Sequence, residues 1–452
     1  MGGSYLILFW LCSLRDSHYV YQLLGLFAWF GRIALPAAIE TLRRKLSPTD
    51  KGALISALLN RGKDFVWFGG PTSQWTIIPL GIEPAEWSSF IIKKISEGTP
   101  GPSPVPFISG YVGVFPYEQF SPFSDGPKPI LMRAKGALLC NNRTGDCMVT
   151  AASPIEYQQI LKLAEDLLDY PAQNAQIQYE ALDLVPDCSD ESYEDMVTEA
   201  LKDIQAGRYY QINLLRYFRC SGATKASIAD LIASRGGPFA CWIMQGDSEV
   251  ISFSPEHFVE ISGATGSRTI STSPIKGTSP RFKDQSLDEK SAQELLSSKK
   301  NLAELHMIID LMRNDLNRIC QPGSVKVRDA NKLVSFINVH HLVGSVTGRL
   351  RDNLSTFDFL TALCPGGSIT GAPKIEVMNA IRQYEGRPRG FFMGHAFMLD
   401  ENGTFNSSIL IRTLQKTAGK DYEFSAGSGI VIHSDPKSER LEIDAKCNVL
   451  KR

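Results

Sequence analysis

The chain has 452 residues, 43% of them hydrophobic and 21% charged, enough for two or three compact units or one large doubled domain with a substantial core. Forty-seven basic against 48 acidic side chains leave a net charge of −1, which argues against a global field for nucleic acid or an anionic membrane and makes a small molecule the expected partner. Nine cysteines scattered from Cys12 to Cys447, with no C-x-x-C pair, argue against a disulfide framework or zinc site and fit reduced thiols in a cytoplasmic protein. Cys140 and Cys147, on either side of a turn-like stretch, could pair, but chance is the better explanation of their spacing.

Residues 1–30 carry two apolar runs, Tyr5 to Cys12 and Leu23 to Phe30, too short to span a bilayer and without a basic start; they read as an atypical N-terminal extension. Residues 31–170 read as an N-terminal α+β region. Within it 35–65 is expected to be helical, 65–155 to be short strands broken by Gly and Pro, and 155–169 helical. The polar, acidic stretch 171–191 is expected to be a linker.

Residues 192–452 form the second unit. It opens at Ser192 on an amphipathic helix, with Tyr193, Met196, Val197, Ala200, Leu201 and Ile204 at helical spacing, and the helix stops at Gly207. One long helix is expected from about Ser286 to Cys320. Strands and helices mix without regular alternation, so the fold class is α+β.

Several segments carry possible chemistry. Pro274-Ile275-Lys276-Gly277-Thr278 sets one amine beside a backbone that glycine frees to approach an anion; it is a nucleophile if the amine is unprotonated, and otherwise a turn with a surface lysine. Glu304 lies on the long helix. Glu439 and Glu442 are three apart on a last helix capped by Asp435 and begun by Pro436, with Lys446 one turn on. Three converging carboxylates would need a hard cation between them, magnesium fitting best; otherwise Glu439 and Glu442 belong to a solvated face paired with lysines.

Gly366 to Lys374 is a glycine-rich turn feeding a helix, either an anion site suited to a carboxylate or a plain helix entry. It fails as a phosphate loop because Ala372 stands where a lysine is required. His341 sits on the face of Val339 and Val343, the usual place of a core histidine. Arg412 ends an apolar strand and needs an anionic partner, protein or substrate. Glu256 in Ser254-Pro255-Glu256 is a general acid or base, or a turn residue.

Together these segments resemble the chorismate-utilising family, which includes the large subunits of anthranilate synthase and aminodeoxychorismate synthase. The matching pieces run in family order over about residues 190–452: Tyr210-Gln211-Ile212-Asn213, Ser254-Pro255-Glu256, Pro274 to Thr278, Glu304 to Leu316, His341-Leu342-Val343, Gly366 to Lys374, Ile411-Arg412-Thr413, Ala426 to Val431, and Glu439-x-x-Glu442 with Lys446. The resemblance implies a two-subdomain α/β sandwich.

It also implies magnesium held by Glu304 and Glu442 with Glu439 assisting, and Gly277, Thr278 and His341 at the ring carboxylate of chorismate. Arg412, Gly427 and Gly429 would lie at the enolpyruvyl carboxylate, with Thr370 and Lys446 among the substrate contacts. Lys276 would attack the ring with Glu256 as proton donor. Lysine at position 276, where anthranilate synthases carry alanine, points to the aminodeoxychorismate branch, hence to folate and 4-aminobenzoate formation. Anthranilate synthesis, or binding of chorismate or tryptophan without turnover, are the alternatives. No segment resembles a glutamine amidotransferase, so ammonia would come from solution or a separate glutaminase subunit. Phe397-Met398 stands where relatives often have Gly-Tyr, which on this reading removes a phenol from the enolpyruvyl side. Asn301 replaces a common acid and Arg208 a frequent aspartate.

Overall fold

The strand Gln211–Ser221 is buried at nine of its 11 positions, which is why it reads as a continuous apolar run and not as an alternation. The computed structural model describes residues 38–45, 50–91, 105–170, 182–264, 266–335, 339–352, 354–417 and 419–451. The N-terminal extension and most of the linker lie outside these. Among the described residues, strands form a 12-stranded and a 10-stranded sheet.

Gln211–Ser221 lies near one end of the larger sheet, beside Tyr422–Val431 and the two-residue Gly371–Ala372. Ile275–Pro280 lies at one end of the smaller sheet, paired with Val339–Arg349. Facing apolar side chains of both sheets, including Val66, Ile243 and Val250 from one and Val112, Val114 and Met132 from the other, fill the layer between them. Helices cover the outer faces, giving a helix–sheet–sheet–helix sandwich with two further cores under the helices. The α+β class expected from the sequence holds.

Both stretches distinguished in the sequence contribute to both sheets. Phe65–Phe68 pairs with Cys241–Gln245 in the larger sheet, and Gly110–Phe115 pairs with His395–Asp400 in the smaller. Three local expectations change. Ala38–Lys45 is a strand paired with Asp146–Ala151, and only Asp50–Asn60 is helical, so sheet pairing overrides a helix-prone sequence. Asp183–Pro186, at the end of the expected linker, pairs with the 211–221 strand, and Ser189 caps a helix that starts at Asp190. The long helix is two, Gln285–Ser297 and Lys299–Asn317. Ser298 leaves helical geometry at ψ 102° and caps the second helix, its hydroxyl accepting from the Asn301 amide. Among the described residues no helix is long and apolar enough to cross a membrane.

Candidate active site

A cavity of about 770 Å³ opens where the two sheets approach each other. The larger sheet supplies Asn213, Ser425, Ala426, Gly427 and Gly429, and the smaller Ile275 to Thr278 and His341. The two helices that close it carry chemistry on single stripes. Lys299–Asn317 presents Lys300, Asn301 and Glu304 while Leu305, Ile308, Ile309 and Met312 pack inward. Pro436–Cys447 presents Glu439, Glu442 and Lys446 while Ile443 and Cys447 are buried. Asp435 accepts from the Ser438 amide at 2.9 Å and caps this last helix. Arg440 pins it to the 190–205 helix through Glu194 at 2.9 Å.

Lys276 owes its position to a β-bulge. It pairs with Leu342 and Thr278 pairs with His341, so Gly277 is the extra residue between them. Gly277 sits at φ +72°, and a Cβ there would come within 2.9 Å of Leu295 Cδ1. Across the cavity a methyl on Gly429 would meet Gln211 Nε2 at 2.9 Å and reach ordinary contact, 3.8 Å, with Lys276 Nζ, which places this glycine opposite the amine. Among the described residues, Lys276 Nζ has no hydrogen-bond or ion-pair partner. Its charge instead acts on Glu256, Glu304 and Glu442.

Each acid has a distinct environment. Burial pushes the Glu256 carboxyl up, opposed by Lys276 and by a hydrogen bond from Ser368 Oγ to Oε1 at 3.2 Å. Burial also pushes Glu304 up; Lys276 and Lys300 pull it down, and Glu442 and Glu439 push it further up. For Glu442 burial acts upward, but Lys446, Lys276 and Lys300 prevail and hold it below the ordinary range. Lys446 Nζ is 2.7 Å from Glu442 Oε1 and donates to the Gly427 carbonyl at 2.6 Å. Buried Glu439 accepts from Ser434 Oγ at 2.6 Å. Burial lowers His341, whose Nδ1 lies 2.9 Å from Thr278 Oγ1, so the ring is neutral at pH 7. Arg412 sits at φ +52°, a strained geometry for arginine. Its guanidinium lines the cavity with no hydrogen-bond partner among the described residues.

The three carboxylates come from two helices and sense one another, an all-oxygen donor set that fits a hard divalent ion. They are not gathered in advance: among the described residues no three His, Cys, Asp or Glu side chains form a ready cluster. Lysines stand among the acids in its place.

Of the residues expected from the sequence, Glu256, Lys276, Gly277, Thr278, Glu304, His341, Arg412, Gly427, Gly429, Glu439, Glu442 and Lys446 all line this cavity. Thr370 does not. It is fully buried and donates to the Gly366 carbonyl at 2.7 Å, which makes it a brace for the loop. The Gly366–Lys374 loop is also no anion site for its helix entry. Pro373 is the cap residue and Lys374 turns away to Asp315 at 2.6 Å; only Ser368 and Ile369 of the loop reach the cavity. Phe397 stacks on Phe115 at 4.2 Å inside an aromatic core, so the Phe397-Met398 pair is off the cavity wall. Sequence reasoning missed Ser368, Lys300 and Met393 as wall residues. Met393 is buried at φ +59°, which no sequence pattern announces.

Fold and site together define a two-sheet α/β sandwich protein with a large cavity lined by both basic and acidic side chains. The model of the chorismate binding enzyme family matches residues 70–452, and the chain belongs to that family. It is 40% identical over 256 residues to aminodeoxychorismate synthase component 1 of Salmonella typhimurium, covering 55% of each chain. It is 33% identical over 340 residues to anthranilate synthase component 1 of Methanothermobacter marburgensis, covering 75% of this chain and 69% of that one. The chain thus spans about half the length of the first of these relatives. In fold it is similar to anthranilate synthase component I from Streptococcus pneumoniae, with a TM-score of 0.70, 24% identity and 93% of each chain covered.

Proposed function

We propose that this protein is the chorismate-aminating component of 4-aminobenzoate formation, converting chorismate and ammonia to 4-amino-4-deoxychorismate and water. The observation that carries the reading is the unpartnered amine of Lys276, set among Glu256, Glu304 and Glu442 inside one cavity.

As the free base, Lys276 Nζ attacks ring C2. The N–C2 bond forms, both ring double bonds shift along the ring, and the C4–O bond breaks. Glu256, whose carboxyl burial pushes up toward holding its proton, gives that proton to the departing hydroxyl, which leaves as water. Ammonia then bonds to C4, the double bonds shift back, the C2–N bond breaks to return the amine, and the proton shed by the new ammonium goes back to Glu256. Arg412 and the Gly427–Gly429 strand hold the enolpyruvyl carboxylate, while Thr278 and His341 line the ring-carboxylate end. Magnesium on Glu304 and Glu442, with Glu439 assisting, would neutralise the ring carboxylate and the charge that develops in the ring. Ammonia is supplied by a glutamine amidotransferase partner in a heterodimer, as the component naming of the relatives suggests, and the reaction runs in the cytoplasm.

Anthranilate synthesis is the second reading, favoured by the longer span of the anthranilate synthase match. Product analysis after incubation with chorismate, magnesium and ammonium separates the two. 4-Amino-4-deoxychorismate is expected; anthranilate with pyruvate would overturn the assignment, and tight chorismate binding without turnover would indicate a sensor.

A further inference from the structure

The geometry points to Ser368 as the residue that orients the proton of Glu256 toward the cavity. This rests on the reading of Glu256 as the general acid. A carboxylic acid can carry its proton on either oxygen, and the neighbours of each oxygen decide which. Ser368 Oγ donates to Glu256 Oε1 at 3.2 Å and is the only hydrogen-bond donor to that carboxyl among the described residues. With Oε1 occupied as an acceptor, the proton is left on Oε2. Ser368 itself is 8% exposed and lines the cavity beside the acid.

Both partners are fixed through their backbones, which a chance contact would not require. Ser368 is the middle residue of the short turn Gly367–Ile369. Thr370 Oγ1 closes the turn onto the Gly366 carbonyl at 2.7 Å, and Arg389 Nη1 donates to the Ile369 carbonyl at 3.0 Å. A Cβ on Gly366 would lie 2.9 Å from the Phe258 ring, so the loop is seated against the strand that follows Glu256. On the other side, the Glu256 amide donates to Ser254 Oγ at 3.2 Å and its carbonyl accepts from the Ile409 amide at 3.2 Å. The bracing role of Thr370 acquires a purpose here: it holds the serine that holds the acid.

Donation to Oε1 also favours the ionised carboxyl, against the upward push of burial. Removing the hydroxyl therefore moves the Glu256 titration further up. The test is infrared difference titration of the free protein, with the Glu256 band assigned by its loss in Glu256→Gln, alongside steady-state chorismate consumption. In Ser368→Ala the Glu256 midpoint is expected to rise by about one pH unit, as for loss of one hydrogen bond to a charged oxygen. kcat is expected to fall about tenfold at little change in KM, and Ser368→Thr, which keeps the hydroxyl, restores both. An unmoved midpoint, or an equal loss in Ser368→Thr and Ser368→Ala, overturns the inference while leaving the proposed reaction intact. Wild-type turnover in Glu256→Gln would remove the acid assignment itself, and this inference with it.

Discussion

Two charged clusters share a wall of this molecule and are built in opposite ways. Arg389 is 1% exposed, and each nitrogen of its guanidinium donates: Nε and Nη2 to Glu385, Nη1 to the Ile369 carbonyl and Nη2 also to the Asn213 carbonyl. Glu385 in turn accepts from the Leu215 amide and the Tyr217 hydroxyl. On the far side of Asn213 and Ile369 lies the cavity, where Lys276 and Arg412 have no hydrogen-bond partner among the described residues and the carboxyls of Glu256 and Glu304 are pushed up. Saturated charge holds a fold in place. Charge left open in a walled space is organised for something that arrives from outside.

The contrast can be broken or sharpened at three points. Lys276→Met removes the open amine; turnover should fall by about 10⁴-fold or more, with a denaturation midpoint indistinguishable from wild type. A folded Lys276→Met protein that still consumed chorismate would break the contrast. Arg389→Met leaves Glu385 buried without its cation and should cost about 3–5 kcal/mol of stability in urea unfolding. A small loss there would show that the saturated cluster is not what holds the wall.

Glu304→Gln should give the smallest change in stability and a readable one in binding. Manganese affinity, followed by electron paramagnetic resonance, should drop about tenfold or more. Stability should rise by up to about 1 kcal/mol near pH 7, because the neutral amide escapes the burial penalty on the carboxylate, which outweighs the pull of Lys276 and Lys300. The pH dependence has a definite sign. The folded protein holds the Glu304 carboxyl above its ordinary range, so it binds a proton the unfolded chain releases. Stability therefore declines as pH rises from the ordinary carboxylate range through the raised value. Glu304→Gln should flatten that decline in urea midpoints measured against pH.

Much of the site was legible through the family resemblance, and local spacing supplied part of it. Lys276 and Gly277 are adjacent, and Glu439 and Glu442 share a helix face by spacing alone, with Asp435 and Pro436 marking where that helix begins. Ser368 and Lys300 were not legible, because what makes them wall residues is the approach of distant elements. The break at Ser298 shows the same limit: a helix-compatible run is split by a single serine whose side chain caps the next segment. Thr370 was misread because a polar residue in a glycine-rich loop gives no sign of whether its hydroxyl faces the ligand or its own backbone. The Ala38–Lys45 strand was lost to intrinsic helix preference, since nothing nearby in sequence reveals a partner more than 100 residues away.

The shared sheets bear on how this protein can be divided. The longest run of recognisable motifs starts near residue 190, which invites the design of a trimmed catalytic module. Such a fragment would strip Cys241–Gln245 and His395–Asp400 of the neighbours they have in Phe65–Phe68 and Gly110–Phe115. Two rows of unmet backbone donors and acceptors would then act as templates for intermolecular strand addition. The half of the chain with the weaker family signature thus covers the strand edges of the other half.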